Sequence, residues 1–441
     1  MRFSQKPTFL YQFFKLSTIN ILSNLMVPLA GLMDVAFLGH LVEIRHLAGV
    51  TLATVLFNYI YWTFGFLRMS TTGMTAQAMG REDNESVLLI GLRHGVLALG
   101  LGLTILVCQQ PLRLLGFALL NATPEVKASG VAFYNALIWG APATLINFVL
   151  IGWFLGREQS NKVLLLSVVS NAANVLLDYT FIVRWEWASR GAGLATAASQ
   201  YLMLLVGILL FCQEIRFKQV QGLAGKLFEP STLKDIFTLN GEILIRTLAL
   251  ISTFAMFTNL SAAMGTVVLT TNAVLMEVVS LAAYLIDGLA FSTEILAGVF
   301  RGKEKTDGLM RLVQVSGGTS LILGLMFAIA FIISPQPLFG LLTNHTEIIA
   351  GLYRYVPWLL PVLGFGSIAY MLDGYFLGLT QGSTLRQSTL IATLLGFIPM
   401  AIAAWYFSSN NLLWLSLSLF MVARAFTLGL QVPRTLRKPI T

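Results

Sequence analysis

The sequence predicts an all-α polytopic membrane protein with twelve transmembrane helices arranged in two similar halves of six. Three observations predict this fold class. Of the 441 residues, 56% are hydrophobic and 11% are charged, whereas soluble domains carry about 25% charged residues. Long apolar runs recur along the chain, and the second half repeats the first at a constant offset.

The apolar runs are long enough to cross a bilayer as helices, which takes about 20 residues. The chain contains twelve of them, at residues 14–38, 48–78, 87–107, 129–155, 162–183, 192–212, 234–260, 267–299, 308–334, 348–378, 385–407 and 411–432. Because several runs exceed the thickness of a bilayer, we expect those helices to tilt, kink or extend beyond it.

The internal repeat has an offset of 222 residues. Residues 67–71, Leu-Arg-Met-Ser-Thr, correspond to residues 289–293, Leu-Ala-Phe-Ser-Thr, and residues 152–156, Gly-Trp-Phe-Leu-Gly, correspond to residues 374–378, Gly-Tyr-Phe-Leu-Gly. The alternative is a chance likeness of glycine-rich apolar helices. Six spans per half give both halves the same orientation, which is a known transporter architecture. The repeat predicts lobes at 1–212 and 234–441, joined by a basic connector at 213–233.

The net charge of +8 is distributed as in a membrane protein, which argues against nucleic-acid binding. If the N-terminus is cytoplasmic, nineteen of the 28 lysines and arginines face the cytoplasm and six face outwards. This asymmetry follows the positive-inside rule and predicts that both termini are cytoplasmic.

Charged residues within the spans are costly and usually mark function or pairing. Asp34 follows Pro28 in the first span, where a proline removes a backbone hydrogen bond and bends the helix. This spacing favours a moving carboxylate, although Asp34 is also close to the end of its span and would suit an interfacial position.

Asn174 and Asp178 lie one turn apart in the fifth span and so share a helix face. Because burial disfavours the charged form of a carboxylate, such a group can bind and release protons near neutral pH. With an amide and a hydroxyl nearby it could instead coordinate Na⁺. The alternative is a hydrogen bond that only joins two helices.

The second half carries further intramembrane charges, for which a functional and a structural interpretation have about equal weight. Glu242 and Arg246 are four residues apart, in the order that favours mutual pairing near the inner face. Asp287 and Glu294 are two turns apart on one face of the eighth span, and Asp373 lies in the tenth. We consider all five as candidate substrate or coupling residues.

The sequence has no Walker A motif, no H-E-x-x-H or G-x-S-x-G motif and no cysteine cluster. It therefore predicts neither an enzyme nor a cofactor, and uphill transport would have to be coupled to an ion gradient.

Several segments resemble one transporter family. Residues 33–41, Met-Asp-Val-Ala-Phe-Leu-Gly-His-Leu, are similar to the span-one signature of the multidrug and toxic compound extrusion (MATE) transporters. Segments similar to their DinF-like branch are residues 68–73 (Arg-Met-Ser-Thr-Thr-Gly), 75–77 (Thr-Ala-Gln), 272–276 (Asn-Ala-Val-Leu-Met), 286–288 (Ile-Asp-Gly) and 372–374 (Leu-Asp-Gly). The resemblance covers essentially the whole chain.

The resemblance implies two six-helix lobes forming a V, and export of organic compounds in exchange for H⁺ or Na⁺. It implies cation coupling at Asp34, Asn174, Asp178 and Thr196, and a helix bend at Pro28. NorM-like members carry a glutamate deep in the seventh span for a C-lobe sodium site. Here that span has only Glu242, near its inner end, so we expect coupling in the N-lobe and favour protons.

The predicted function is therefore an antiporter for cationic or amphipathic compounds, acting as a monomer in the lipid bilayer. A flippase for lipid-linked saccharides is the alternative of related fold, and mainly acidic intramembrane charge disfavours it. A membrane-embedded enzyme would need acidic or histidine clusters at the membrane surface. The lack of a long transit segment favours a bacterial inner membrane over a plastid.

Overall fold

The computed structural model describes residues 9–39, 43–120, 122–215, 222–340 and 346–436, and these residues are helical with short connections. The helices before the connector are α1 Phe9–Gly39, α2 Ile44–Thr63, α3 Phe66–Gly80, α4 Asn84–Val107, α5 Gln109–Leu119, α6 Pro124–Leu137, α7 Ala141–Gly156, α8 Ser160–Asp178 and α9 Ala188–Glu214. Those after it are α10 Pro230–Ala263, α11 Thr266–Gly302, α12 Thr306–Ile333, α13 Pro335–Gly340, α14 Thr346–Tyr355, α15 Leu359–Gly378, α16 Gly382–Ile391, α17 Ile398–Tyr406, α18 Asn410–Gly429 and α19 Val432–Thr435.

The predicted membrane spans are confirmed. Eleven helical stretches within the described ranges are long and apolar enough to cross a bilayer. The predicted first span corresponds to α1, which has 31 residues, some of whose side chains lie outside the description. Four of the predicted spans consist of two consecutive α-helices with a short interruption, as at Phe64 and Gly65 between α2 and α3. The fold is the all-α multi-pass membrane fold that the composition predicts.

The helices form two compact units. The N-unit comprises Leu22–Ile236, and the C-unit combines the start of α1, up to Ile21, with the described residues from Phe237 onwards. Helix α1 therefore begins in one unit and ends in the other. The lobes predicted at 1–212 and 234–441 are defined by the sequence repeat and stay a prediction.

The two units repeat each other at the predicted offset. Five helix starts in the N-unit have a partner 222 residues later, namely Ile44 and Thr266, Asn84 and Thr306, Pro124 and Thr346, Ser160 and Gly382, and Ala188 and Asn410. Three pairs of non-glycine residues with positive φ just after helix ends keep the same offset, namely Glu82 and Glu304, Glu158 and Thr380, and Glu186 and Ser408. A left-handed residue after a helix is a common terminator, so the repeat extends to how the helices end.

A glycine pair spaced four apart holds two helices together in each unit. In the N-unit a Cβ on Gly152 of α7 would lie 2.6 Å from the carbonyl oxygen of Arg68 on α3. In the C-unit Gly374 and Gly378 of α15 meet the carbonyl oxygens of Ala290 and Glu294 on α11 even more closely. Small residues at this spacing let helix backbones approach within a membrane. This contact explains why the Gly-x-x-x-Gly motif is the clearest part of the repeat.

Replacing Gly378 by alanine is expected to destabilise the C-unit by about 1–3 kcal/mol, because the added methyl group overlaps the Glu294 carbonyl. Gly318→Ala on α12 is the matched control, since no atom lies within 4 Å of its added Cβ. Denaturant titration in mild detergent measures both. A Gly378→Ala protein that unfolds at the same denaturant concentration as wild type would contradict the close packing of α15 on α11.

The start of α4 is fixed by a side-chain cap. Asp83 accepts hydrogen bonds from the backbone N of Ser86 at 3.0 Å and from its Oγ at 2.6 Å. These bonds favour the charged carboxylate and lower the pKa of Asp83 below its ordinary value. At the equivalent start of α12 the residue is Lys305, whose side chain makes no cap hydrogen bond.

Asp83→Ala is expected to cost about 1 kcal/mol of stability above pH 4, because a helix N-cap is lost. Since the pKa is lowered on folding, the cap contributes above the unfolded value near 4 and its contribution falls as the pH drops through the folded value. Melting curves at neutral pH and near pH 3 measure this. An equal difference between the two proteins at both pH values would argue against the cap.

Candidate functional site

Three of the four predicted coupling residues, Asn174, Asp178 and Thr196, lie where α8 packs against α9. Asn174 and Asp178 are one turn apart at the end of α8 and are 3% and 0% exposed. Asn174 Nδ2 donates to Thr196 Oγ1 on α9 over 3.3 Å. The Thr196 hydroxyl in turn donates to the carbonyl oxygen of Ala192 at 3.1 Å. An amide, a hydroxyl and a carboxylate thus occur together inside two apolar spans.

The oxygens of this group suit a proton or a small hard cation. Asn174 Oδ1 is buried and has no hydrogen-bond partner among the described residues. A buried amide oxygen without a donor is costly, and a bound cation would satisfy it. Carboxylate, amide and hydroxyl oxygens are also the ligands that hard cations accept. The chemistry of the donors therefore fits Na⁺ as well as H⁺.

The backbone changes its winding directly after Asp178. Residues Tyr179–Arg184 form a turn of π-helix before α9 begins. Single π-helical turns are rare and occur frequently at functional sites. Sequence reasoning did not find this turn, since a π-helix has no distinct pattern of apolar residues.

Asp34 and Pro28 both lie on α1, in the part that belongs to the N-unit. Pro28 is inside the helix, which continues through it from Phe9 to Gly39. The side chain of Asp34 lies outside the described part of the structure. Its role in coupling and the bend at Pro28 stay predictions.

A second polar chain in the N-unit was not predicted from the sequence. Asn147 on α7 donates through Nδ2 to the Gln200 carbonyl oxygen at 2.9 Å and to Gln200 Oε1 at 3.1 Å. Gln200 lies one turn after Thr196 on α9, and its Nε2 is 3.5 Å from the Ser170 hydroxyl on α8. The signal available in the sequence was the four-residue spacing of Thr196 and Gln200.

In the C-unit, Asp373 is held by two arginines. Its Oδ2 accepts from the Nη2 atoms of both Arg246 on α10 and Arg424 on α18. All three side chains are buried, and that of Arg424 is fully so. The Arg424 guanidinium also lies 5.5 Å from the ring centres of Tyr370 and Phe420. A carboxylate with two permanent cations on one oxygen is poorly suited to bind a third cation.

Glu242 and Arg246 each have another partner in the structure than the one that their spacing favours, and their role in coupling or substrate binding stays a prediction. Glu242 pairs with Arg386 on α16 at 2.9 Å, whereas Arg246 reaches Asp373. Arg246 lies one turn further along α10 than Glu242, and there its guanidinium meets the buried carboxylate of Asp373 on α15. Helical spacing permits the local pair, but tertiary packing supplies each residue with a nearer partner.

Asp287 and Glu294 lie on α11, the helix on which Gly374 and Gly378 pack. Asp287 is partly exposed, whereas Glu294 is fully buried. Asp287 and Glu294 belong to the C-unit, whereas Asn174, Asp178 and Thr196 belong to the N-unit.

The sequence profile of the MatE family matches this chain twice, at residues 20–180 and 243–402. The two matches end 222 residues apart, which is the offset of the repeat. DNA damage-inducible protein F of Escherichia coli is 32% identical over 411 residues, covering 93% of this chain and 89% of that protein.

More distant relatives agree. A probable multidrug resistance protein NorM of Thermotoga maritima is 23% identical over 337 residues, covering 74% of this chain and 70% of that protein. A crystal structure of a MATE protein in a bent conformation superposes with a TM-score of 0.86 at 19% identity, covering 96% of this chain and 95% of that one. The chain belongs to the MatE family of multidrug and toxic compound extrusion transporters.

Proposed function

We propose that this protein exports cationic or amphipathic organic compounds in exchange for protons, and that the coupling residues lie in the N-unit. The observation that carries the proposal is the pair of buried residues Asn174 and Asp178 together with the Thr196 hydroxyl that Asn174 contacts. A carboxylate in an apolar span is costly unless it serves a purpose. Asp34 completes the proposed coupling site by resemblance to the family.

The C-unit supports this assignment of the coupling site. Its most buried aspartate, Asp373, is committed to Arg246 and Arg424, and Glu242 is committed to Arg386. Because Asp373 and Glu242 already pair with arginines, they are less suited to bind a coupling cation than the oxygens of Asn174 and Asp178. Protons are the proposed coupling ion and Na⁺ is the alternative, with Asp34, Asn174, Asp178 and Thr196 as the residues that would hold either.

A lipid-linked saccharide flippase is the second candidate, because buried arginines suit phosphate groups. Arg246 and Arg424, however, both bind Asp373 instead of presenting a bare cationic surface. The structure therefore favours the exporter.

The proposal is tested with purified protein in liposomes under a pH gradient alone, a Na⁺ gradient alone, or neither. Fluorescence of a cationic dye such as ethidium follows transport, and reduction of a fluorescent lipid by dithionite follows flipping in the same vesicles. We expect dye accumulation with the pH gradient alone and no lipid flipping. Lipid flipping without dye transport would refute the exporter, and accumulation only with Na⁺ would change the coupling ion.

A further inference from the structure

A cavity of about 480 Å³ lies in the N-unit at the ends of its transmembrane helices. Its wall contains two carboxylates and two cations, Glu85 on α4, Glu214 on α9, Arg157 after α7 and Lys226 of the connector. Trp153 on α7 forms part of the apolar lining. The volume is in the range of small-molecule sites. Because the wall carries charges of both signs, the cavity suits a polar group and not a lipid tail.

Arg157 has hydrogen-bonding capacity that the described residues do not use. Its guanidinium pairs with Glu214, which also binds Lys162 and accepts from Gln159 Nε2 at 2.9 Å. Two cations thus share one carboxylate, and Arg157 Nε is buried without a hydrogen-bond partner among the described residues. Burial lowers the pKa of Arg157 below its ordinary value, because desolvation disfavours the charged guanidinium. An arginine in this state is suited to the oxygens of a phosphate.

The second pair at the cavity can be exchanged. Lys226 Nζ lies 2.5 Å from Glu85 Oε1, and their side chains are 59% and 48% exposed. Exposed pairs of this kind contribute little to stability, so an incoming ammonium can replace Lys226 at Glu85. The released Lys226 then supplies a second cation to a phosphate beside Arg157.

We infer that the cavity binds a phospholipid headgroup that carries both a phosphate and a primary ammonium, as phosphatidylethanolamine does. A quaternary choline has no N–H to donate to Glu85 and needs an open aromatic face, whereas the Trp153 ring is covered by Arg157 at 4.3 Å. A glycerol headgroup has no cation for the carboxylates. The site lies at the ends of spanning helices, which is where lipid headgroups are found.

Native mass spectrometry of the detergent-solubilised protein tests the inference. Phosphatidylethanolamine competes with phosphatidylcholine and phosphatidylglycerol of the same acyl chains. In a second competition, soluble glycerophosphoethanolamine tests whether the headgroup alone is sufficient for binding or whether the whole lipid is required. The variants are Arg157→Gln, Lys226→Gln and Glu85→Gln. Asp307→Asn is the matched control, because Asp307 is the second residue of α12 as Glu85 is of α4, one repeat offset later.

On wild type we expect phosphatidylethanolamine to be retained roughly tenfold over either competitor, the effect of about one charge-assisted hydrogen bond. Glu85→Gln should reduce this preference towards parity, because Glu85 alone recognises the ammonium. Arg157→Gln and Lys226→Gln should weaken retention of all three lipids, because each lipid carries the phosphate, while Asp307→Asn keeps both retention and preference. Glycerophosphoethanolamine at equal concentration should not displace the lipid. Displacement would assign the site to a soluble phosphoethanolamine instead of a lipid.

Equal retention of the three lipids on wild type would overturn the inference. A preference that survives Glu85→Gln, or lipid retention that neither Arg157→Gln nor Lys226→Gln weakens, would overturn it as well. Melting temperatures identify any variant that fails to fold. Lys226→Gln changes an exposed side chain, so it keeps the inference testable if Arg157→Gln is unstable.

Discussion

Replacing Asp373 by alanine is expected to lower the free energy of unfolding by about 3–5 kcal/mol, since the change leaves two buried arginines without their shared carboxylate. Arg246 and Arg424 cannot relieve this by losing their protons, because the guanidinium group stays charged at accessible pH. Both side chains are almost wholly buried, so water cannot compensate them fully. Denaturant titration in mild detergent measures the loss.

A combined variant separates the loss of an ion pair from the loss of packing. Arg246→Met, Asp373→Leu and Arg424→Met together remove all three charges while keeping apolar volume. Replacing a buried charge cluster in this way is often neutral or stabilising, so the triple variant should recover most of the loss. Asp307→Asn, an exposed change in the same unit, should stay within about 0.5 kcal/mol of wild type. A stable Asp373→Ala protein would show that the arginines have other partners.

The Asp178→Asn variant is expected to lose dye accumulation driven by a pH gradient, down to the level of protein-free liposomes. An amide keeps the size and much of the hydrogen bonding of the carboxyl but cannot take up or release a proton in this range. Because Asp178 is fully buried at the end of α8, its substitution acts on the proposed coupling site and not on the surface. Fluorescence of a cationic dye in liposomes measures accumulation.

Asn171→Ala is the control for this experiment. Asn171 lies on the same helix, one turn before Asn174, and its side chain donates to the Ser167 carbonyl oxygen at 2.8 Å. This variant should accumulate dye as wild type does. Dye binding to the Asp178→Asn protein, followed by fluorescence anisotropy, should persist. Full accumulation by Asp178→Asn would remove Asp178 from the coupling site.

The sequence predicted the transmembrane helices well, because apolar length is a direct physical requirement of the bilayer. It placed some helix ends a few residues too far inward, because polar residues continue the helix beyond the apolar run. The helix α6, for example, begins at Pro124 and not at residue 129, and proline is well suited to the first helical turn. It missed α5, Gln109–Leu119, whose mixed composition and short length do not meet the criterion for a span. Such boundaries depend on solvent exposure and capping more than on hydropathy.

The candidate site was only partly predictable for a different reason. Asn174 and Asp178 share a helix face, and that relation follows from spacing alone. The contact of Asn174 with Thr196 entered only through family resemblance, and the union of Arg246, Asp373 and Arg424 joins three separate helices. Helical spacing favours Glu242 as the partner of Arg246, whereas packing brings Arg386 to Glu242. Periodicity therefore finds pairs within a helix and cannot rank them against tertiary partners.

The most direct test of the account is proton movement in inverted membrane vesicles when a cationic dye is added, with and without Na⁺. A pH-sensitive fluorophore reports collapse of the gradient for wild type and for Asp34→Asn. We predict that wild type collapses the gradient on dye addition without Na⁺, and that Asp34→Asn does not. A response that survives in Asp34→Asn, or one that appears only with Na⁺, would contradict proton coupling in the N-unit.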